Sequence, residues 1–534
     1  MPKYIDVLTI EQALIKAGNG HSFQRRALII MGLQYMIAGM LHIAMTELFF
    51  HQQQYKCLSE DLNYQNCTEG AFCEQYKTKE NKVSLVDHSD LGSLIKYFLM
   101  VCGDKIQIFI LVTSYYIGGS MGSLYYGEQM EIRQGRYTVM IETLLMMGFV
   151  CCISMLSPSA YILSVALFAI NFFSRGFFNS SMILFFEISS ENLQKFGPAL
   201  LLTCYGIGEV ISPRLIEMFN LNWQYSMLLL FGLPAVLFSV LIKFMQESPR
   251  ILVIRRKFEE ARLAINYIAS VNERKMPENW VLEDEVRIQE LKDKMKNILL
   301  QEEIHEQAKG YNFSSIFRYK SIRIRMFCLL YLYSIVVLGQ FQTAKEIERF
   351  SRLERHHTYL LLSLVSTTGY LISGYASLNY LRKEVIKAIL ILGAIFHFLI
   401  AALPLLILNK TASDLITFYD KLVYTFIMMV LVMCRLTLSF AYGFINVYAL
   451  EIFPTSLRHY GFCGLSFLTE FLFIFQDSYV IFCHAFGLNS SIGMFFLLLF
   501  GLLTLQKLRE TQDLPLKENV DEMQDELINN IYSA

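Results

Sequence analysis

Long apolar runs alternate with short polar segments along the 534 residues of the chain. Twelve of these runs approach or exceed about 18 residues, enough for a helix to cross a hydrocarbon core of about 30 Å. Six lie in the first half, near Ala27–Phe50, Ile106–Tyr126, Tyr137–Leu156, Tyr161–Glu187, Phe196–Met218 and Tyr225–Met245. Six follow in the second half, near Ile324–Thr343, Tyr359–Tyr380, Val385–Leu408, Leu422–Leu450, Gly461–Phe486 and Ile492–Leu508. The pattern predicts an all-α membrane protein with twelve transmembrane helices in two six-helix bundles.

The polar segments divide the chain into domains. We expect an N-terminal segment at 1–26, a first bundle at 27–249 with a long loop at 51–105, a linker at 250–323, a second bundle at 324–508 and a tail at 509–534. Apolar residues recur at helical spacing in the linker, which predicts short amphipathic helices on the membrane surface. They are Phe258, Ala261, Leu263, Ile265 and Ile268.

Lys and Arg near the ends of the runs set the orientation, because basic residues in short loops stay in the cytoplasm. With both termini, the linker and the tail in the cytoplasm, most basic loops fall on one side, and the mixed loop from Lys345 to Arg355 is the exception. The first run follows a polar stretch, so we expect it to act as an uncleaved insertion signal. The loop at 51–105 then lies outside, where the sequon Asn66-Cys67-Thr68 predicts glycosylation of Asn66. Cys57, Cys67 and Cys73 share this loop, as one disulfide plus a free thiol or as three thiols.

Composition agrees with a lipid-embedded chain, with 54% hydrophobic residues, 17% charged residues and a mean hydropathy of +0.40. We therefore expect the lipid bilayer as a partner. The formal net charge of −1 offers no field that would attract nucleic acid. Nothing resembles a catalytic constellation or a metal or cofactor motif, so we expect neither an enzyme nor a bound cofactor.

Charged residues within the apolar runs are the strongest pointer to function, because a charge inside a membrane is costly unless it faces a cavity or a partner. Arg175, Glu209, Arg214, Arg435, Glu470 and Asp477 are such residues. Glu470 interrupts an aromatic run, and a buried carboxylate among rings suits an organic cation. The alternative is a neutral carboxyl group that is hydrogen-bonded inside the bundle.

Three motifs resemble those of the organic cation, anion and carnitine transporters, the solute carrier family 22-like branch of the major facilitator superfamily. Gln246-Glu247-Ser248-Pro249-Arg250 follows the sixth run, Glu451-Ile452-Phe453-Pro454-Thr455-Ser456-Leu457-Arg458 ends the tenth, and Glu510-Thr511 with Leu514-Pro515 follows the twelfth. The resemblance covers the chain from Ala27 to about Leu516 and implies the same fold.

The resemblance also implies an inner gate of charged pairs. Arg133, Gly135 and Arg136 match the first cytoplasmic loop motif of the superfamily, although Ile132 stands where an aspartate is expected. At the ends of the spans we expect Glu451 to pair with Arg458 and Glu187 to pair with Lys195. The alternative is that these residues only anchor the helix ends.

Positions matched by spacing imply the substrate site. Seven residues fall at cavity-lining positions of the family: Glu470, Arg175, Phe178, Tyr205, Tyr333, Gln340 and Tyr442. Glu470 takes a place that holds an acid in cation carriers and an arginine in anion carriers, which favours cations. Arg175 would bring a positive charge to the same cavity, which makes an anion or a zwitterion such as carnitine the alternative.

The functional expectation is therefore a transporter of small organic ions, organic cations first, that works by alternating access. An organic anion or zwitterion carrier is the alternative within transport, and a transport-inactive membrane scaffold is the alternative from another class. We expect a multi-pass protein of the plasma membrane, with an organelle membrane as the other possibility.

Overall fold

The computed structural model describes residues 6–18, 20–45, 54–58, 64–67, 73, 84–86, 94–98, 100, 105–132, 135–219, 221–294, 312–351, 355–403, 418–512, 514 and 516–517. Long helices dominate both halves. The first half contains α1 (Ile10–Ala17), α2 (Ser22–Ile43), α3 (Leu94–Tyr97), α4 (Lys105–Ile132), α5 (Gly135–Ser154), α6 (Ala160–Ile188), α7 (Glu191–Met218) and α8 (Trp223–Phe244). Helix α8 includes a π-helical segment at Ser226–Gly232.

The linker and the second half also consist mainly of helices. The linker contains α9 (Pro249–Ile254), α10 (Phe258–Val271), α11 (Glu283–Lys294) and α12 (Ser315–Arg318). The second half contains α13 (Lys320–Phe350), α14 (Arg355–Asn379), α15 (Arg382–Ala402), α16 (Phe418–Ile452), α17 (Arg458–Ala485) and α18 (Ser490–Gln506). Below, the linker end of the molecule is the end at which α9 and α10 lie, and the loop end is the opposite one.

Nine helices in the described part of the chain are long and apolar enough to cross a membrane, or ten if α17, which bends by 55°, counts as one span. The 17-residue helix α18 and the 25-residue helix α14 occupy the positions of the two remaining apolar runs. Each of the twelve runs thus coincides with a helix, and the chain is an integral, multi-pass, all-α membrane protein.

Glycines bring the helices of the first half into backbone contact, a common device in membranes because apolar side chains give no advantage over lipid. A Cβ at Gly118 or Gly122 of α4 would lie 2.1 or 2.2 Å from a carbonyl oxygen of α6. Gly39 of α2 and Gly208 of α7 make the same approach, with a Cβ 2.0 and 2.1 Å from the facing carbonyl oxygens. Helix α4 is therefore packed closely against α6, and α2 is packed closely against α7.

Two small sheets lie outside the helices. Strand β1 (Asp6–Leu8) pairs in parallel with β5 (Trp280–Leu282), which fastens the N-terminal segment to the linker. The strands β2 (Gln54–Leu58), β3 (Tyr64–Cys67) and β4 (Ser84–Val86) form an antiparallel sheet of order β3-β2-β4 in the long loop after α2. Asn66 lies in β3, and its glycosylation remains a prediction. Cys73 is disulfide-bonded, so the alternative of three free thiols is wrong.

Candidate functional site

A cavity of about 350 Å³ lies between the two halves of the molecule. Of the seven substrate positions expected from the sequence, five line it: Arg175 and Phe178 on α6, Tyr205 on α7, Gln340 on α13 and Tyr442 on α16. The cavity extends toward the loop end, where Lys345 and Glu348 of α13 and Tyr359 of α14 contribute to its wall. Both halves therefore build a single chamber whose wall combines aromatic rings with aliphatic, polar and a few charged side chains.

Glu470 does not line this cavity, and its side chain is fully buried. One carboxylate oxygen lies 2.5 Å from Nη2 of Arg175, and the other accepts a hydrogen bond of 2.8 Å from Nδ2 of Asn171. The guanidinium of Arg175 also lies 5.2 Å from the ring centroid of Phe178. Arg175 thus separates the carboxylate from the cavity and neutralises it, and the sequence-based picture of an open, cavity-facing carboxylate needs correction.

The room for this carboxylate comes from α4. A Cβ at Gly119 would lie 2.4 Å from Nδ2 of Asn171 and 2.5 Å from a carboxylate oxygen of Glu470. Asn171, four residues before Arg175, also donates to the carbonyl of Tyr115 at 2.9 Å, which fixes its orientation. Because residues four apart share a helix face, the spacing of Asn171 and Arg175 could have indicated this pair of partners for an acid.

Tyr333, the seventh expected position, also lies outside the cavity wall. Its ring is buried and contacts Tyr442 edge-on, with centroids 5.7 Å apart. It supports a cavity-lining ring rather than a substrate. Tyr370 on α14 and Phe473 on α17, which the sequence did not single out, line the cavity instead.

Arg435 on α16 is the second guanidinium of the cavity wall. Its Nε donates to Oγ of Ser366 at 3.0 Å and its Nη1 donates to the carbonyl of Gln340 at 2.7 Å. Among the residues that the structure describes, no carboxylate lies within ion-pair distance of it. These two hydrogen bonds hold the side chain in place. Because a guanidinium carries five N–H donors, Arg435 keeps further donors for a ligand.

Buried ion pairs close the linker end. The Glu187 carboxylate at the end of α6 lies 3.4 Å from Nε of Arg136 on α5 and 3.3 Å from Nη1 of Arg458 on α17. All three side chains are fully buried. Arg458 comes from the second half, so this cluster joins the two halves beneath the cavity.

The start of α5 is held by the residue after the sixth span. Both carboxylate oxygens of Glu247 accept backbone hydrogen bonds, from Arg136 at 3.0 Å and from Tyr137 at 3.1 Å. Gly135 has φ +84°, and a Cβ there would lie 2.1 Å from the Glu247 carboxylate. Burial raises the pKa of Glu247, against the opposing effect of its backbone donors.

The second half repeats this arrangement. Glu510, after the twelfth span, accepts from the backbone N–H groups of Arg382 and Lys383 at 2.9 Å each. The Arg382 guanidinium forms two hydrogen bonds of 2.8 and 2.9 Å with the Glu451 carboxylate at the end of α16. Glu247 and Glu510 therefore play the same role in the two halves, although the loop sequences around Arg136 and Arg382 differ.

The ion pairs expected from the sequence for Glu451 and Glu187 are wrong, because both acids pair with other residues. Glu451 pairs with Arg382 instead of Arg458, and Arg458 crosses to Glu187 of the other half. Lys195 lies on α7, where its backbone carbonyl accepts from Oγ of Ser377 at 2.7 Å. The physical reason is that both acids sit beside an arginine that begins the neighbouring helix. Arg133 lies outside the described residues.

No group of three or more histidines, cysteines or acids that could hold a metal occurs in the described ranges of the chain.

Comparisons with known proteins agree with this architecture. The family model of the Major Facilitator Superfamily matches residues 27–475. Organic cation/carnitine transporter 2 of Rattus norvegicus is 22% identical over 372 residues, which cover 70% of this chain and 61% of that protein. Organic anion transporter 3 of Mus musculus is also 22% identical, over 70% of this chain and 64% of its own length. The chain thus spans less than two thirds of the length of these relatives.

A solved structure has the same fold. It is the proton:xylose symporter XylE bound to 6-bromo-6-deoxy-D-glucose, with a TM-score of 0.58, 14% identity, and coverage of 94% of this chain and 99% of that one. The three relatives are named as transporters or symporters, none as an enzyme. The resemblance drawn from the three motifs is confirmed, and the chain belongs to the major facilitator superfamily.

Proposed function

We propose that the protein carries a small organic ion across a membrane by alternating access, with the two halves rocking about the cavity. Support comes from the position of the cavity between the halves and from the buried cluster of Arg136, Glu187 and Arg458 that closes one end. Solute sites between the two halves, near the membrane midplane, are typical of such carriers.

Arg435 in the cavity wall indicates the charge of the solute. No carboxylate of the described residues lies within ion-pair distance of Arg435. A guanidinium in a membrane cavity is costly without such a partner, and an anionic ligand would relieve that cost. Glu470, which suggested a cation from the sequence, is already neutralised by Arg175 at 2.5 Å. The arrangement therefore favours a substrate that carries an anionic group, either an organic anion or a zwitterion. This single observation, Arg435 in the wall of the cavity, carries the proposal.

A simple organic cation is the second candidate. Glu209 on α7 also lines the cavity, among rings that include Tyr205 and Phe473. Aromatic faces and a carboxylate together attract cations. A cation carrier would have to place its ligand against Glu209 and away from both guanidinium groups.

We also propose an orientation of the protein in the membrane. We place the linker end in the cytoplasm and the loop end outside, so that the closed end faces the cytoplasm and the cavity is directed outward. The plasma membrane is the proposed location, and glycosylation of Asn66 would follow from this orientation.

Uptake by purified protein in proteoliposomes tests the function. Labelled benzoate, L-carnitine and tetraethylammonium represent an anion, a zwitterion and a cation. We expect uptake of benzoate or L-carnitine, with R435Q raising the KM at least tenfold. The control R214Q should transport normally, because Arg214 pairs with Glu217 and both side chains are more than half exposed.

Uptake of tetraethylammonium alone, unaffected by R435Q, would establish the cation candidate instead. A protein that moves none of the probes and co-purifies with a fixed partner would establish the non-transporting scaffold.

A further inference from the structure

His42 and Glu209 form a pair inside the cavity. His42 lies near the end of α2 and Glu209 lies on α7, with Nδ1 of the imidazole 3.1 Å from Oε1 of the carboxylate. Their side chains are 16% and 12% exposed, and both residues line the cavity wall. The ring of His42 also contacts Tyr205 and Phe473, with centroids 5.8 and 6.1 Å apart.

An imidazole next to a carboxylate is a natural site for one proton. The pair is neutral with imidazolium and carboxylate, and has a charge of −1 once the imidazole loses its proton. Histidine is the side chain whose ordinary pKa, about 6.5, lies closest to physiological pH. We propose that His42 and Glu209 bind a proton whose occupancy is coupled to binding of the solute in the same cavity, an inference that rests on the proposed function.

Within the described part of the chain, the other charged groups that line the cavity lie on other helices. They are Arg175 on α6, Lys345 and Glu348 on α13, and Arg435 on α16. Arg175 is neutralised by Glu470, which leaves Arg435 as the guanidinium open to a ligand. The tyrosines of the wall are Tyr116, Tyr205, Tyr359, Tyr370 and Tyr442.

The sign of the coupling follows from charge. Loss of the proton adds one negative charge to a cavity in which Arg435 binds an anionic group, so it weakens binding of that group. Proton and anionic solute therefore favour each other, and thermodynamic reciprocity makes the effect equal in both directions. A cation such as tetraethylammonium would show the opposite dependence.

The proton site at His42 and Glu209 and the solute site at Arg435 lie on different halves of the molecule and face the same cavity. Helices α2 and α7 are in backbone contact at Gly39 and Gly208, so the proton site moves with the first half. Arg435 belongs to the second half. Glu209 interacts electrostatically with Arg435 across the cavity, which links the proton site to the guanidinium that we assign to the solute. In this arrangement the proton and an anionic solute enter the cavity together, as in a symporter.

Uptake of benzoate and L-carnitine at external pH 5.5 to 8.0 is the first test. For one coupled proton, we expect the apparent affinity of the wild-type protein to rise as pH falls, by up to about tenfold per pH unit. H42Q should lose this dependence whatever its effect on the rate of uptake, and E209Q should shift it to another pH range, because the imidazole then lacks its carboxylate partner. The matched control is H484Q, because His484 is exposed at the loop end of α17 and does not line the cavity. Wild-type uptake that is independent of pH, or H42Q uptake that keeps the dependence, would overturn the proton site and leave the transport proposal intact.

A second readout needs no transport. In reconstituted protein with ¹⁵N-labelled histidine, the imidazole signal that H42Q removes should titrate between pH 5 and 8.5 and shift in E209Q. If none of the probes is transported, the proposed function fails while a titrating His42 keeps the proton site. A His42 signal that stays unchanged over this range overturns the proton site, whatever the transport result.

Discussion

Arg458 crosses from the second half of the molecule to place its guanidinium 3.3 Å from the carboxylate of Glu187 in the first half. Both side chains are fully buried, and the guanidinium also lies 4.9 Å from the ring centroid of Phe186. Removing one partner of a buried pair typically costs about 3–5 kcal/mol, because the other charge is left uncompensated. In the proposed alternating-access cycle, we expect this pair to stabilise the state that is closed at the linker end.

R458Q should therefore open the linker end. Cys463 of α17 reports on this, because it is buried where α17 meets α4, with its Cβ 2.9 Å from the position of a Cβ at Gly127. We expect maleimide to label Cys463 severalfold faster in R458Q than in wild type. Cys151, buried within the first half, is the internal reference and should not change.

The exposed Arg349 supplies the matched variant R349Q, in which neither cysteine should react faster. Equal acceleration at Cys151 and Cys463 would mean general loosening, and no acceleration at Cys463 would show that Arg458 does not hold the linker end closed.

The Arg175 and Glu470 pair should act both on stability and on the charge of the cavity. E470Q removes the countercharge of a buried guanidinium, so we expect a melting temperature several degrees below wild type. Glu470 does not line the cavity but Arg175 does, so the uncompensated guanidinium adds positive charge there and should favour benzoate over tetraethylammonium. A melting temperature of E470Q equal to that of wild type would contradict the buried pair.

Gly119 should tolerate no side chain. The Cβ of G119A would lie 2.5 Å from the Glu470 carboxylate and 2.4 Å from the Asn171 amide, so either the pair or helix α4 must shift. We expect a melting temperature several degrees below wild type. G393A is the control, because its Cβ would meet the nearest atom at an ordinary 3.5 Å. Equal melting temperatures for the two variants would contradict the tight fit around Glu470.

Glu510 should stabilise the protein in a pH-dependent way. Burial raises the pKa of this carboxyl, but backbone N–H groups of Lys383, Gln512, Arg382 and Thr511 outweigh that effect and lower it below the ordinary 4.5. A depressed folded-state pKa means that the stabilisation is present above the ordinary value and is lost as pH falls through the folded value.

E510Q should therefore lower the melting temperature at pH 7, and its difference from wild type should shrink as pH falls below 4.5. E384Q, at an exposed acid on the same helix start, should show little difference at either pH. A penalty in E510Q that is the same at pH 4 and pH 7 would show that the charge of Glu510 is not what stabilises the start of α15.

Much of the fold was predictable from run length, because a span must be long and apolar wherever it packs. The motif around Pro249 and the motif ending at Arg458 located the ends of the sixth and tenth spans correctly. The partners of the charges were not predictable, since run length does not determine how a helix is rotated or which neighbour it meets. Spacing predicted that Glu470 and Tyr333 line the cavity. In the structure neither side chain lines it, and Arg175 and Tyr442 line the wall beside them instead.

The sequence alone does not single out His42. Its significance depends on Glu209, which lies 167 residues away along the chain and 3.1 Å away in space. Arg435 was visible as an intramembrane charge, but only the packed bundle shows that none of the described carboxylates lies within ion-pair distance of it.

In the proposed transport cycle, Arg435 binds an anionic group of the solute in the cavity between the halves. A cryo-electron microscopy map of the protein in nanodiscs saturated with benzoate or L-carnitine would show this contact. We expect density for the carboxylate within hydrogen-bond distance of the Arg435 guanidinium, with Arg175 still paired to Glu470. Density for tetraethylammonium against Glu470, with Arg175 displaced, would contradict it.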